Sequence, residues 1–247
     1  MPMKLISLNL WGGAVNDPLL KFLGDHQDID FFLFQEMLHN ATAKTNWGGR
    51  GNVNLFEDIR SVLNTHDGYF ASAESDEFGL AGFIKKGIDV AQNGDIFIQR
   101  HRDAMIDMDA ATLGRNLQYF KIAGRTKPLT LMNFHGLWTG KGKGDTEDRI
   151  MQSRKIVEFA TSLDGDFILA GDFNLLPGTE SIRILEGMNV RNLITDYGIT
   201  NTRTSYYKKT TDKFADYVFV TLGVDVKDFK VMPDEVSDHA ALYLEFE

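Results

Sequence analysis

The stretch Phe167-Ile168-Leu169-Ala170-Gly171-Asp172-Phe173-Asn174-Leu175-Leu176-Pro177 decides how the rest of the chain is interpreted. It opens with an apolar run, which is typical of a buried strand. A Gly-Asp-x-Asn turn follows, and Pro177 then ends the segment. The strand therefore delivers a carboxylate, Asp172, and an amide, Asn174, to one edge of a sheet. Because Asp and Asn are also common in ordinary turns, the interpretation depends on whether other strands end on polar residues nearby.

The composition of the 247-residue chain is that of an ordinary globular protein, with 43% hydrophobic and 25% charged residues. A chain of this length can bury a core that needs no covalent staples, and we expect a single domain over residues 1–247. There is no cysteine, which excludes disulfides and thiolate metal sites. Any metal must be bound by carboxylate, amide or imidazole groups, and this favours hard ions such as Mg²⁺, Mn²⁺ or Ca²⁺.

The formal net charge of −9 argues against strong non-specific binding to DNA, for which Lys and Arg supply most of the affinity. A local basic rim is compatible with this charge. No apolar run approaches the roughly 20 residues that span a bilayer. Residues 1–11 are apolar but short, and they lack a small-residue cleavage site, which indicates a strand rather than a signal peptide. We therefore expect a cytoplasmic protein without a membrane span, and the sequence indicates no protein partner.

Strands dominate the predicted secondary structure, with a few helices between them. Residues 31–34 are too short and too uniformly apolar for an amphipathic helix, so a buried strand is predicted. The polar residues 200–213 are predicted to form a loop. This pattern indicates one α/β domain of packed sheets. The other predicted strands span residues 3–11, 68–73, 80–86, 90–99, 117–123, 129–134, 216–220 and 240–246, and the predicted helices span residues 18–24, 55–63, 147–163 and 179–185.

A set of polar residues shares one property: each lies at or next to the end of an apolar strand. Strand ends gather at one edge of a sheet sandwich, so these side chains can converge. A carboxylate between apolar runs is costly unless it is paired, hydrogen-bonded or bound to a metal. Each residue alone can be a cap or a turn residue, but that interpretation is poor for all of them together. The set is Asn9, Glu36, His135, Asp172, Asn174, Asp216, Asp238 and His239.

The motifs at these strand ends, in this order, resemble the endonuclease/exonuclease/phosphatase superfamily, which contains DNase I, abasic-site endonucleases, sphingomyelinases and inositol-polyphosphate phosphatases. The resemblance implies a four-layer α/β sandwich, in which two packed, mainly antiparallel β-sheets are flanked by helices. It covers nearly the whole chain. The motifs are Leu-Asn-Leu-Trp at 8–11, Gln-Glu at 35–36, Asn-Phe-His at 133–135, Gly-Asp-Phe-Asn at 171–174, Asp-Tyr-Val-Phe at 216–219 and Ser-Asp-His at 237–239.

The resemblance implies a phosphoesterase that uses Mg²⁺ or Mn²⁺ and hydrolyses a phosphodiester in a nuclease-like reaction. Glu36 would be the main metal ligand, with Asn9 beside it, and Asp238 would bind the same ion or a second one. Asp172 would orient or deprotonate the attacking water. Asn174 would donate hydrogen bonds to the phosphoryl oxygens.

The two histidines have different implied roles. His239 would stabilise the charge that builds up on the phosphate or protonate the leaving oxygen. Asp216 would hold its ring, as carboxylates orient imidazoles in other sites. His135 would contact a phosphate oxygen.

Four further residues are candidates for contact with the substrate. Arg115 opens a strand that leads toward the same region, although it can also be a surface arginine. Trp11 stands where some DNA-directed relatives carry an acidic residue, and it either shapes the pocket or is a core aromatic residue. Lys141 and Lys143 follow His135 in a glycine-rich loop; they either meet a second phosphate or belong to a solvated loop.

The substrate class remains open at this point. Besides a nucleic acid, the alternatives are a nucleotide, another small phosphate ester and a phospholipid head group, because one fold can serve many functions. A further alternative is a non-catalytic binding protein with the same fold. A continuous basic groove around the pocket would favour nucleic acid, whereas a closed pocket with an acidic rim would favour a small substrate.

Overall fold

The computed structural model describes residues 2–42, 45, 49–107, 109–124 and 127–247. The helices in these ranges are α1 (Asn16–Asp25), α2 (Leu55–Val62), α3 (Glu147–Thr161), α4 (Glu180–Glu186) and α5 (Leu193–Asp196). The strands are β1 (Met3–Asn9), β2 (Phe31–Leu38), β3 (His66–Glu74), β4 (Phe78–Lys85), β5 (Val90–Gln99), β6 (Arg115–Ile122), β7 (Leu129–His135), β8 (Asp166–Asp172), β9 (Val190–Asn192), β10 (Asp216–Thr221), β11 (Val226–Val231) and β12 (Leu242–Phe246).

The strands of the described ranges form two six-stranded sheets. The first sheet has the order β11-β12-β1-β2-β4-β3, and the second has the order β5-β6-β7-β8-β10-β9. Within these ranges each sheet contains one parallel pair, β1 with β2 and β7 with β8, and its other neighbouring strands are antiparallel. The predicted α/β sandwich of two mainly antiparallel sheets is therefore confirmed.

Both faces of the first sheet are apolar. Successive side chains of a strand point in opposite directions, so each strand contributes residues to both faces. Leu5 and Leu33 pack in the core that also contains residues of the second sheet, whereas Ile6 and Phe34 pack with residues of α1 and α2. Burial on both faces is the physical reason for the uniformly apolar run at residues 31–34.

The sequence did not predict β9, β11 and α5. Strand β9 has three residues, too few for a periodic signal. Strand β11 lies at the edge of its sheet, and its residues Lys227 and Lys230 are exposed. Charged residues on an edge strand prevent pairing with other chains, but they also hide the strand from a hydrophobicity pattern. None of the helices in the described part of the chain has the length and apolar character needed to cross a membrane.

The topology brings the carboxyl ends of the two parallel pairs to the same edge of the sandwich. The parallel register aligns Asn9 with Gln35 and His135 with Asp172. Strand β10 runs in the opposite direction, so its first residue, Asp216, pairs with Asp172. Polar residues from both sheets therefore meet at one edge.

Candidate active site

The polar strand ends surround a cavity of about 290 Å³. Asn9 and Asp216 are 0% and 3% exposed, and they are hydrogen-bonded to residues of the cavity wall. The tertiary structure therefore brings the predicted strand-end residues into one cluster. Those that line the cavity are Trp11, Glu36, Arg115, His135, Asp172, Asn174, Asp238 and His239.

A β-bulge directs Glu36 into the cavity. The register between β2 and β4 shifts between Phe34 and Met37, and Glu36 has a positive φ of 55°. A bulge interrupts the alternation of a strand and redirects a side chain. Phe34 and Met37 both pack on the helix side of the sheet, but the Glu36 carboxylate, 29% exposed, reaches the cavity.

Asn9 links carboxylates that belong to the two different sheets. Its Nδ2 donates to Glu36 Oε1 at 3.0 Å and to Asp172 Oδ2 at 2.9 Å. Its Oδ1 accepts a hydrogen bond from the backbone N–H of Trp11 at 2.9 Å, which sets the orientation of the amide. In this arrangement Asn9 positions both carboxylates, and its oxygen is directed to the backbone of the following turn.

The turn after β8 positions Asp172 and Asn174 together. The φ of Gly171 is +147°, and a Cβ at this position would lie 2.0 Å from the carbonyl oxygen of Phe134 on the neighbouring strand. The requirement for glycine comes from this close approach of two backbones. Asp172 Oδ1 accepts from the backbone N–H of Asn174 at 2.8 Å, and Asn174 has a φ of 54°. This is the local carboxylate turn that the Gly-Asp-x-Asn pattern favours.

His239 is held from behind by a chain of buried hydrogen bonds. Its Nδ1 lies 2.8 Å from Asp216 Oδ1, and the Thr202 hydroxyl donates to Asp216 Oδ2 at 2.7 Å. The other ring nitrogen, Nε2, is 3.5 Å from Asp172 Oδ2. The ring therefore presents Nε2 to the cavity. Thr202 is fully buried, and sequence analysis did not identify it.

Asp172 and His239 are driven toward opposite charges. Burial opposes ionisation of Asp172, but the charges of His239, Arg203 and Lys143 outweigh it and hold the pKa of Asp172 below its usual range. Burial and Arg203 oppose protonation of His239, but the carboxylates of Asp216, Asp238 and Asp172 outweigh them and raise the pKa of His239. An anionic carboxylate and a ring that retains its proton thus face each other across the cavity.

His135 is held in its neutral form by Arg115. Arg115 Nη1 donates to His135 Nδ1 at 3.1 Å, and an arginine has no acceptor, so the ring proton must reside on Nε2. Burial, assisted by the Arg115 charge, lowers the pKa of His135 to about 3. The Nε2–H group lies 3.7 Å from both Glu36 Oε1 and Asp172 Oδ2. His135 is therefore available as a neutral hydrogen-bond donor.

The cavity also contains two buried cations: Lys143, one of the two lysines that the sequence offered for a second phosphate, and Arg203, which sequence analysis did not identify. Lys143 and Arg203 line it, and both are 8% exposed. Lys141 is exposed and lines a neighbouring depression instead, so the lysine of this loop that reaches the site is Lys143. Arg203 was assigned only to a polar loop. Its isolated bridge pairing with His239 depends on tertiary structure and leaves no periodic signal in the sequence.

The carboxylate oxygens around Glu36 suit a hard divalent cation. Ligand atoms of Glu36 and Asp172 lie within 4.8 Å of each other and of a His135 ring nitrogen, but His135 has no free lone pair in this tautomer and is not a ligand. Glu36 has no ion pair with Lys or Arg among the residues that the structure describes. Burial first, and then repulsion by Asp238 and Asp172, raise the pKa of Glu36. A cation between these carboxylates would remove that repulsion. Asp238 shares one oxygen with Arg203 at 2.7 Å, which leaves its other oxygen for a ligand.

Comparison with known proteins gives one family. The model of the Endonuclease/Exonuclease/phosphatase family matches residues 6–239. No curated protein matches the sequence.

Solved structures share the fold over the full length of the chain. One is an endonuclease/exonuclease/phosphatase from Bacteroides vulgatus, with a TM-score of 0.76, 18% identity, and coverage of 100% of this chain and 99% of the other. A mannosyl-6-phosphatase from Bacteroides thetaiotaomicron has a TM-score of 0.75, 18% identity and 99% coverage of both chains. D. rerio TDP2 complexed with single strand DNA product has a TM-score of 0.74, 15% identity, and coverage of 100% and 99%.

Proposed function

Because this chain belongs to the endonuclease/exonuclease/phosphatase family, whose members are phosphoesterases, we propose that it hydrolyses a phosphodiester in a nuclease-like reaction that depends on Mg²⁺ or Mn²⁺. One observation carries the proposal: Asn9 joins Glu36 of one sheet to Asp172 of the other, directly opposite the ion pair of His239 and Asp216. The arrangement supplies Glu36 as a carboxylate for the metal, Asp172 as an ionised carboxylate for the attacking water, and His239 as a charged hydrogen-bond donor for the phosphate.

A divalent ion, when bound by Glu36 and its neighbours, would screen the negative charge of the phosphate and polarise its oxygens. Asp172 is ionised, so it orients the attacking water and accepts its proton as the new bond between oxygen and phosphorus forms. The ester bond to the leaving oxygen breaks as this bond forms, and the leaving oxygen takes up a proton from His239 Nε2 or from solvent. Because its lowered pKa makes the Asp172 carboxylate a weak base, it acts mainly by positioning the water. Positioning is the dominant requirement in phosphoryl transfer.

The remaining residues stabilise the charge that develops on the phosphoryl oxygens. The protonated ring of His239 offers Nε2–H, and the neutral ring of His135 offers its own Nε2–H. Asn174 adds its amide from the turn after β8. Such preorganised donors cost no reorganisation during the reaction. Asp216 and Arg115 are positioning residues in this scheme, because they act through the two histidines.

The lining of the cavity supports a polyanionic substrate over a small ester bound in a pocket with an acidic rim. Lys143, Arg203 and Lys209 line the same cavity as the catalytic carboxylates, so the basic rim is local despite the overall charge of −9. The alternatives are a nucleotide, a small phosphate ester and a phospholipid head group. A substrate panel separates them from a nucleic acid.

The test uses the purified protein with phosphomonoesters, dinucleotides, DNA, RNA and phospholipids, each assayed with Mn²⁺, Mg²⁺ or EDTA. We expect hydrolysis that requires the metal and is lost in Asp172→Ala. The matched control is Asp164→Ala, which changes an exposed carboxylate between α3 and β8. If wild type and Asp172→Ala are equally inactive on the whole panel, catalysis must be abandoned in favour of a binding protein with this fold.

A further inference from the structure

Next to the catalytic carboxylates, the cavity contains two buried cations that hydrolysis of a single phosphate leaves unexplained. We propose that Lys143 and Arg203 form a subsite for a second phosphate group of the substrate, beyond the one that is cleaved. As a statement about the substrate, this inference rests on the proposed function.

Lys143 is a buried cation without a carboxylate partner. Its Nζ donates to the carbonyl oxygen of Phe214 at 2.7 Å, and among the described residues no carboxylate lies within ion-pair distance of it. An ammonium group has three donors, so two remain for a ligand. A buried charge without a counter-charge is costly unless a ligand compensates it. Gly142, with a φ of +91°, bends the loop so that Lys143 enters the cavity while Lys141 stays outside.

Arg203 is paired with a carboxylate on one side only. Its Nη1 donates to Asp238 Oδ2 at 2.7 Å, but its buried Nε has no hydrogen-bond partner. The ring of Tyr207 lies 4.4 Å from Arg203 Cζ and 5.4 Å from Lys143 Nζ. One aromatic ring therefore holds both cations next to each other. Two neighbouring cations repel one another, and Arg203 contributes, after burial, to the lowered pKa of Lys143. An anion bound to both would reverse this repulsion.

The basic surface continues from these residues away from the catalytic carboxylates. A second depression of about 490 Å³ shares Arg203, Tyr207 and Lys209 with the first cavity and adds Lys208 and Lys213. Its lining contains one carboxylate, Glu235, in the part of the chain that is described, and that carboxylate accepts hydrogen bonds from Ser205. A substrate whose scissile phosphate lies at Asp172 can therefore direct a further phosphate toward Arg203 and this depression.

The ligand chemistry is a phosphate group connected to the scissile one through a short linker. It can come from the next phosphate of a nucleic-acid strand or from a small bisphosphate. A neutral sugar or a single phosphodiester has no second phosphate group to bind to Lys143 and Arg203. A charge-assisted hydrogen bond from a buried cation typically changes affinity by about 10-fold or more.

The experiment compares Lys143→Met with the control Lys121→Met, which removes an exposed lysine at the far end of β6 from the site. The substrates are bis(4-nitrophenyl) phosphate, which has one phosphate, a dinucleotide with a 5′-phosphate, and a nucleoside 3′-phosphate whose 5′-phosphate carries a 4-nitrophenyl ester. For Lys143→Met we expect KM to rise about 10-fold on the substrates with two phosphates, with kcat unchanged, and to change less than about 2-fold on the first substrate. The two-phosphate substrate that wild type binds more tightly identifies the source of the second phosphate. Lys121→Met should behave like wild type.

A binding measurement separates the subsite from the reaction. Inorganic pyrophosphate is titrated calorimetrically into wild type, Lys143→Met and Arg203→Met without metal, and circular dichroism verifies that each variant is folded. We expect binding about 10-fold weaker in both variants. If both variants bind pyrophosphate more weakly but the wild-type protein hydrolyses no substrate, the proposed function is refuted and the subsite is supported. Equal pyrophosphate binding by wild type and Lys143→Met, or an equal KM increase on one-phosphate and two-phosphate substrates, would overturn the subsite.

Discussion

Replacing Asp216 by asparagine tests whether a buried carboxylate keeps the His239 ring charged. Asp216 Oδ1 and His239 Nδ1 are 2.8 Å apart, and the two side chains are 5% and 4% exposed. At an effective dielectric constant of about 20, Coulomb's law gives about 6 kcal/mol for this separation. Loss of solvation offsets most of that, and hydrogen bonds to charged groups contribute about 1.5–3 kcal/mol net. We therefore expect Asp216→Asn to lose about 10- to 100-fold in kcat/KM at neutral pH.

The assay combines kinetics with a pH titration of the His239 ring by NMR. In wild type the raised pKa of His239 means that the ring's contribution to stability is fully present below the unfolded pKa of about 6.5 and is lost as the pH rises through the folded pKa. Asp216→Asn should lower that pKa, because burial and Arg203 then act with less opposition. The loss of stability in the variant should consequently be largest at acidic pH.

The matched control for this prediction is Asp164→Asn, which removes the same charge at an exposed position and should leave both the titration and the rate unchanged. An unchanged His239 pKa in Asp216→Asn, together with a rate within about 2-fold of wild type, would refute the reasoning.

Three further perturbations test other parts of the structure. Gly171→Ala should cost more than about 3 kcal/mol of unfolding free energy, because the added Cβ meets a strand carbonyl at 2.0 Å; Gly178→Ala, where φ is also positive but the space is open, should cost about 1 kcal/mol in the same denaturant titration. Arg115→Met should raise the pKa of His135 in an NMR titration, and an unchanged value would show that burial alone lowers it. Mn²⁺ should raise the unfolding midpoint of wild type but not of Glu36→Gln, and an equal increase in both would place the metal elsewhere.

Local sequence patterns were sufficient to locate most of the strands. Residues 31–34 and 167–170 are uniformly apolar, and a strand is the element that can bury so short a segment on both faces. The same patterns identified Asp172 and Asn174, because the Gly-Asp-x-Asn turn is a local structure. They failed for β11, whose exposed charges protect a sheet edge and hide its hydrophobic pattern.

The direction of individual side chains was beyond the sequence. Glu36 follows an apolar run, but strict alternation would direct its carboxylate toward the helices α1 and α2. The β-bulge with a positive φ redirects it to the cavity, and no residue type in this segment signals that bulge. Lys141 and Lys143 are equally plausible in the sequence, since both stand between glycines. The path of the loop decides between them.

By itself, the sequence determined most of the elements, their order and the polar residues at the strand ends, because each of these depends on neighbours within a few positions. Only the tertiary structure decided which of these residues meet. Asn9 and Asp172 are separated by 163 positions and share a hydrogen bond, and Arg203 reaches Asp238 across 35 positions. Such contacts follow from strand order, register and loop path, which are set by the packing of the whole chain. The stretch that ends in Asp172 and Asn174 therefore signals a turn from its own residues, and it becomes part of a site through residues that the fold brings to it.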